Sequence, residues 1–368
     1  MKKSQPENQK TPIPWKRLLA QTATILSDIP FYCLAFALTL WPVKRGKKMQ
    51  FPGKTLFWSQ ENDEVTEFLA VSLFKFWSEV YTSEVHASIS SPALLKDIEY
   101  HETVPSGFFA AIKYLRKNKF QTVVFLQPMK SIRPGIIAWL AGAQNRVGFG
   151  RSFAAAALNF KLPFQDTGAH MCHQWKQLIE NCSLQKLKTL PFPTFAPARE
   201  MAPIFNTEKL ALIIRKTMVL DPFATDSRSL LPHITTDQIE ELQYKLQNQG
   251  YNVRIVHLDE DREFPESITF DELFSVAKKA DLIIDFDSVG GHIAAAAGAK
   301  VLSVFAERSE RAFQPFQNKS RAFGMQLPCR PCSRSSGGFH CINKTEFQCV
   351  NELNFDNVLQ VLKPKNVA

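Results

Sequence analysis

Two acids, a serine, two glycines and a histidine meet in one short run of this 368-residue chain, "DFDSVGGH", residues 285–292. An apolar run, "DLIIDF" (281–286), leads into it, and "IAAAAGAKVLSVF" (293–305) follows. A strand passing into a helix would leave Ser288, Val289, Gly290 and Gly291 with unpaired N–H groups at the carboxyl edge of a parallel sheet. There the helix dipole favours an anion, and glycine lets a phosphate approach the backbone. Asp287 and His292 bracket the turn, where they can fix its shape or touch a sugar or phosphate. The helix is expected to follow Gly291 and to end about two turns later at Gly298, its alanines lying close on the sheet. The same features would serve a packed crossover without any ligand, so this run alone leaves both readings open.

Two further groups of residues carry chemistry. In "SQENDEVTEF" (59–68) the acids Glu61, Asp63 and Glu64 stand between an apolar run and a helical pattern. They either charge and cap a helix start or supply a carboxylate base. Of seven cysteines, four fall in the loop 329–349 with the spacing C-x2-C-x8-C-x7-C: Cys329, Cys332, Cys341 and Cys349. Paired thiolates at that spacing suit a structural, tetrahedral zinc, with His340 able to replace one sulfur; disulfides or free thiols are the alternatives. Cys33, Cys172 and Cys182 are scattered and read as ordinary buried residues.

The elements that must position these groups alternate regularly. Strand patterns at 54–60, 84–90 and 121–128 alternate with helical patterns at 61–77, 106–118 and 131–143. A Pro-rich stretch, 191–208, interrupts the alternation. It then restarts: strand 209–215, helix 235–250 capped by Thr235 or Thr236, strand 251–258, helix 269–280, and strands 281–286 and 300–305 around the alanine-rich helix. "TMVLDPF" (217–223) extends or follows the first of these strands. The pattern predicts an α/β chain of two Rossmann-like, doubly wound domains, 54–190 and 209–368, facing a cleft where ligands of such sheets bind.

Residues 1–53 stand apart. Up to Lys54 the chain holds ten Lys/Arg against Glu7 and Asp28, whereas the other 314 residues carry 34 basic and 33 acidic side chains. A balanced body argues against nucleic acid as a partner. Between Leu18 and Val43 the only charge is Asp28, and basic residues flank both ends. Pro30 and Asp28 interrupt a continuous span, and the flanking charges set no orientation. A peripheral or re-entrant contact with anionic lipid accommodates them best, with a single span or a packed core helix as the alternatives.

The stretch "DLIIDFDSVGGHIAAAAGAKVLSVFAERSERAFQPF" resembles the C-terminal signature of glycosyltransferase family 9, the lipopolysaccharide heptosyltransferases. Asp287, Ser288, His292, Gly298 and Phe305 match that signature. "VVFLQPMKSIRPGIIAWLAGAQNRVGF" (123–149) and the cysteine-rich "LPCRPCSRSSGGFHC" are similar to further family segments. The resemblance implies a GT-B fold and inverting sugar transfer without a catalytic metal. Its donor would be a nucleotide-sugar of the ADP-heptose type, and its acceptor a lipid-anchored saccharide at the cytoplasmic face of the inner membrane. It also implies a reducing compartment, which weighs against disulfides. Asp63 takes the place of the family's base, although Asn62 replaces the glycine before it. Arg228 stands nearest the family's diphosphate lysine, and Glu260 falls where the family contacts the nucleoside. Val289 and Ala306 replace family glycines. These departures raise an alternative: a catalytically silent relative that binds a nucleotide-sugar or lipid and acts as an assembly partner.

Overall fold

The computed structural model describes residues 51–362 except 52, 61–62, 82, 96–99, 102, 130, 151–152, 165–168, 184–185, 188–192, 196, 198–200, 202–203, 206, 217–233, 261–265, 307, 318 and 332–346. Most of the basic segment, much of the Pro-rich stretch, and "TMVLDPF" therefore lie outside the described residues.

In the first half, β1 (Lys54–Trp58), α1 (Glu64–Tyr81), β2 (Glu84–Ser88), β3 (Tyr100–His101), α2 (Phe108–Asn118), β4 (Thr122–Pro128), α3 (Arg133–Leu140), β5 (Asn145–Phe149), β6 (Phe160–Leu162) and α4 (Met171–Ser183) follow in order. Six strands form one sheet in the order β3-β2-β1-β4-β5-β6, every pair parallel. Both faces are covered, which is why β4 reads as an unbroken apolar run rather than an alternation. Val123 and Phe125 point to a core with Ile112 and Leu115 of α2. Val124 and Leu126 point to the opposite face, beside Phe68, Leu69 and Leu73 of α1 and Trp175 of α4.

The second half repeats the arrangement. It comprises β7 (Leu210–Lys216), α5 (Thr236–Asn248), β8 (Asn252–Leu258), β9 (Ser267–Ile268), α6 (Phe270–Ala277), β10 (Leu282–Asp285), α7 (Val289–Ala296), β11 (Val301–Phe305), α8 (Glu310–Phe313) and β12 (Arg321–Gly324). Two short C-terminal helices follow, α9 (Gln348–Asn351) and α10 (Phe355–Gln360). Its sheet, also all parallel, runs β12-β11-β10-β7-β8-β9. The strand order of each sheet thus reverses once, between β1 and β4 in the first and between β7 and β10 in the second. Ligands of doubly wound sheets bind outside the carboxyl ends of strands at such reversals.

One hydrophobic core runs through both halves: Phe68 and Leu69 of α1 belong to the same buried cluster as Val289, Ile293 and Ala294 of α7. The expected α/β, GT-B type architecture of two doubly wound units is therefore the one observed. Element ends differ from expectation by a few residues, as at α3, which is shorter than 131–143. One difference bears on function. Helix α7 begins at Val289, not after Gly291, so both glycines lie in its first turn. Among the described residues no helix is long and apolar enough to cross a membrane.

Candidate active site

Each half sends an acid out from the reversal point of its sheet. Asp63 follows β1 and precedes α1, where its Oδ2 accepts from the Thr66 hydroxyl at 2.6 Å and its Oδ1 from the Thr66 amide at 3.4 Å. These bonds cap the start of α1 and hold the carboxylate at the carboxyl edge of the first sheet. Asp287 follows β10 and takes a left-handed backbone, φ +52°. Aspartate tolerates that conformation better than most residues.

The two acids meet through one arginine. Arg308, three residues beyond β11, places Nη1 3.0 Å from Asp63 Oδ1 and Nε 3.4 Å from Asp287 Oδ2. Its guanidinium also lies over the Phe313 ring, 5.4 Å from the centroid. The side chains of Arg308, Asp63 and Asp287 are 15%, 21% and 11% exposed, so the cluster is largely shielded yet reachable. Sequence reasoning missed Arg308, because a loop arginine among "AERSERAF" carries no pattern.

The turn between β10 and α7 is organised from within. Asp285, 1% exposed at the end of β10, accepts the Ser288 amide through Oδ2 at 3.1 Å and the Ser303 hydroxyl through Oδ2 at 3.4 Å. It also accepts the Ser288 hydroxyl and the Gly291 amide. Ser288 in turn caps α7, its Oγ accepting from the Gly290 amide at 3.1 Å. Burial pushes the Asp285 carboxyl up to about 6, partly offset by these donors. The expectation that the 288–291 amides stand free for a phosphate is therefore corrected for three of the four. The Ser288, Gly290 and Gly291 amides are bonded inside the turn, and Val289 is buried in the core. A Cβ on Gly291 would collide with the Asp285 carboxylate, and one on Gly290 would stand 3.1 Å from Ile214. Both glycines are thus explained by close packing. Only the sequence position of Asp285, two before Asp287, hinted at its part.

His292 is also enclosed, at 3% exposure, with its ring 5.8 Å from Phe68 of the first half. Burial foremost, with the charge of Arg308 adding to it, lowers its pKa to about 3, so the imidazole is neutral. His170 bonds across the same seam, Nε2 to the Gln314 carbonyl at 2.9 Å, and burial lowers it to about 4.

A model of glycosyltransferase family 9 (heptosyltransferase) matches residues 108–342. The chain belongs to glycosyltransferase family 9. It is a glycosyltransferase, an enzyme of sugar transfer. Solved structures agree on the fold. A family 9 glycosyltransferase from Veillonella parvula aligns with a TM-score of 0.59 at 10% identity, over 86% of this chain and 98% of that one. The ADP-heptose lipopolysaccharide heptosyltransferase II of E. coli aligns with a TM-score of 0.53 at 13% identity, over 83% and 98%. A search of the curated proteins found no match.

The other residues expected of a family 9 enzyme are distributed as follows. Exposed Glu260 accepts the Phe270 amide at 2.5 Å, serving the N-terminus of α6. Of the rival acids near Asp63, Glu64 accepts the Ser91 hydroxyl at 2.7 Å, while Glu61 lies outside the described residues. Arg228, His340, Cys332 and Cys341 also lie outside them. Cys329 is half-buried and Cys349 is buried. Among the described residues no group of three or more His, Cys, Asp and Glu side chains could hold a metal ion.

Arg330, beside Cys329, is only 6% exposed and ties the cysteine-rich segment to the site. It donates to the carbonyls of Ala306 at 2.5 Å, Met325 at 2.5 Å and Arg308 at 2.9 Å, and pairs with Glu310 at 3.3 Å. The backbone that carries Arg308 is thereby pinned from behind.

Proposed function

We propose that this family 9 enzyme moves a heptose-like sugar, with inversion, from an ADP-linked donor to a lipid-anchored saccharide such as a lipopolysaccharide core. The observation that carries this reading is the meeting of Asp63 and Asp287 at Arg308, one acid from each sheet's reversal point. A cleft so framed has a carboxylate on one side and the donor-side turn on the other. The fold it shares with an ADP-heptose lipopolysaccharide heptosyltransferase supports the choice of donor and acceptor.

In this scheme Asp63 is the base. An acceptor hydroxyl attacks the anomeric carbon as the Asp63 carboxylate takes its proton; the new C–O bond forms while the bond from that carbon to the phosphate oxygen breaks. The nucleoside diphosphate leaves with the electron pair. Asp287 contacts hydroxyls of the donor sugar, Glu260 and Arg228 contribute to the nucleotide side, and Ser288, Gly290, Gly291 and His292 shape the turn beneath. The basic, apolar N-terminal segment would hold the cleft against anionic lipid at the cytoplasmic face of the inner membrane.

Transfer assayed with ADP-heptose and a truncated lipid-linked core tests the assignment. Asp63→Asn and Asp63→Ala should each lower kcat by roughly a hundredfold or more while thermal unfolding stays within a few degrees of wild type. Undiminished transfer by either variant would remove Asp63 from the mechanism.

A further inference from the structure

The charge that develops on the leaving diphosphate must be met by something in the cleft. Amides at a helix start usually do this. Here the Ser288, Gly290 and Gly291 amides are already bonded to Asp285 and Ser288. His292 and His170 are buried and neutral. Arg308 is a cation at the mouth of that turn, and its fork lies between two carboxylates. Because that fork is already shared between the two carboxylates, a diphosphate entering beside it gains the guanidinium only if the side chain turns from one of them.

From these contacts we propose that Arg308 binds the donor diphosphate and that it changes partners on donor binding, leaving Asp63 for the phosphate oxygens. This rests on the donor reading above and deepens it.

Geometry favours the exchange. Arginine binds phosphate through the same planar fork with which it binds carboxylate, and a diphosphate carries more charge than Asp63. The Arg308 backbone need not move: its carbonyl and that of Ala306 are held by Arg330. Only the side chain has to swing, between an acid of the first half and a ligand beside the second. In the resting enzyme the guanidinium stabilises Asp63 as a carboxylate and so weakens it as a proton acceptor. Donor binding removes that neighbour, and the base becomes competent only when there is a sugar to transfer. Donor should then precede acceptor in the kinetic order.

Calorimetric titration of the full chain with ADP, UDP and GDP, compared across wild type, Arg308→Ala, Arg308→Lys, Asp63→Asn and the double variant Asp63→Asn/Arg308→Ala, tests the exchange. For the nucleotide that binds wild type most tightly, Arg308→Ala should weaken binding about tenfold or more, and Arg308→Lys, which keeps charge without the fork, by less. Asp63→Asn should tighten it several-fold by removing the competing carboxylate, yet have no such effect once Arg308 is alanine. Arg308→Lys also serves if the alanine variant does not fold, and binding by it equal to wild type together with no tightening in Asp63→Asn overturns the proposal. So does wild-type affinity in Arg308→Ala, or equal tightening by Asp63→Asn in both backgrounds. Should none of the three nucleotides bind the wild type, the donor reading itself fails and the exchange with it; a wild type that binds while the arginine variants match it sinks the exchange alone.

Discussion

With its carboxylate sealed from solvent, Asp285 gathers the Ser288 amide and hydroxyl, the Gly291 amide and the Ser303 hydroxyl, and leaves no room for a side chain at position 291. Burial holds it at about 6 rather than the ordinary 3.8. Because its folded pKa is raised, folded and unfolded chains both keep the proton below about 4, and nothing is lost there. Between about 4 and 6 the unfolded chain ionises first, and above about 6 the full cost, up to about 3 kcal/mol, bears on the fold. The unfolding free energy of Asp285→Asn relative to wild type should therefore shift by about 2–3 kcal/mol in favour of asparagine between pH 4 and pH 7.5. Urea titrations at the two values measure it, and a difference that does not vary with pH would show that this carboxyl titrates normally. The acid was visible in the sequence as part of "DFDS"; its burial was not, because that depends on β11 lying alongside and supplying Ser303.

At the scale of elements, the helices of the second half are closed by local rules. Thr235 and Gln238 form a capping box at the start of α5, and Thr269 and Glu272 form another at α6. Thr235 is exposed and far along the chain from Asp63, Asp287 and Arg308. Replacing it with alanine should cost about 1 kcal/mol in chemical unfolding and leave kcat unchanged. A loss of transfer without loss of stability would mean that α5 feeds into the site. Such caps are legible from sequence because all their partners lie within four residues. The edge strands β3, β6, β9 and β12, two to four residues each, were not foreseen, since so short a run has no period to read. The early start of α7 escaped for another reason: glycine opposes helix by propensity, and packing against Ile214 and Asp285 overrides it.

At the scale of the whole molecule, the two halves share one apolar core at α1 and α7, with polar and aromatic links that include His170–Gln314, His170–Phe316, Phe68–His292 and Asp63–Arg308. Both histidines are held neutral, with lowered folded pKa values of about 4 and about 3. Their contribution is complete above about 6.5 and is lost as pH falls below it, the opposite sign to Asp285. The charge of the chain is likewise a whole-molecule property, since the excess sits before residue 55 and the rest is nearly balanced. Full-length protein should co-sediment with vesicles rich in anionic lipid, release as salt rises, and lose this binding when residues 1–53 are removed. Equal sedimentation of the shortened chain would place the lipid contact elsewhere.

The sequence by itself determined the alternation of strands and helices, the break near residue 200, the segregation of basic charge and the place of Asp63 and Asp287 at strand ends. Each of these follows from neighbours close along the chain, through periodicity, capping and turn chemistry. Tertiary structure decided which of the expected groups meet. Arg308 reaches Asp63 across 245 positions of chain only because α1 packs on α7. The amides of the Gly-Gly turn are bonded inward only because Asp285 is buried beneath them. Contacts between distant residues depend on how packed layers stack, and no local pattern encodes that.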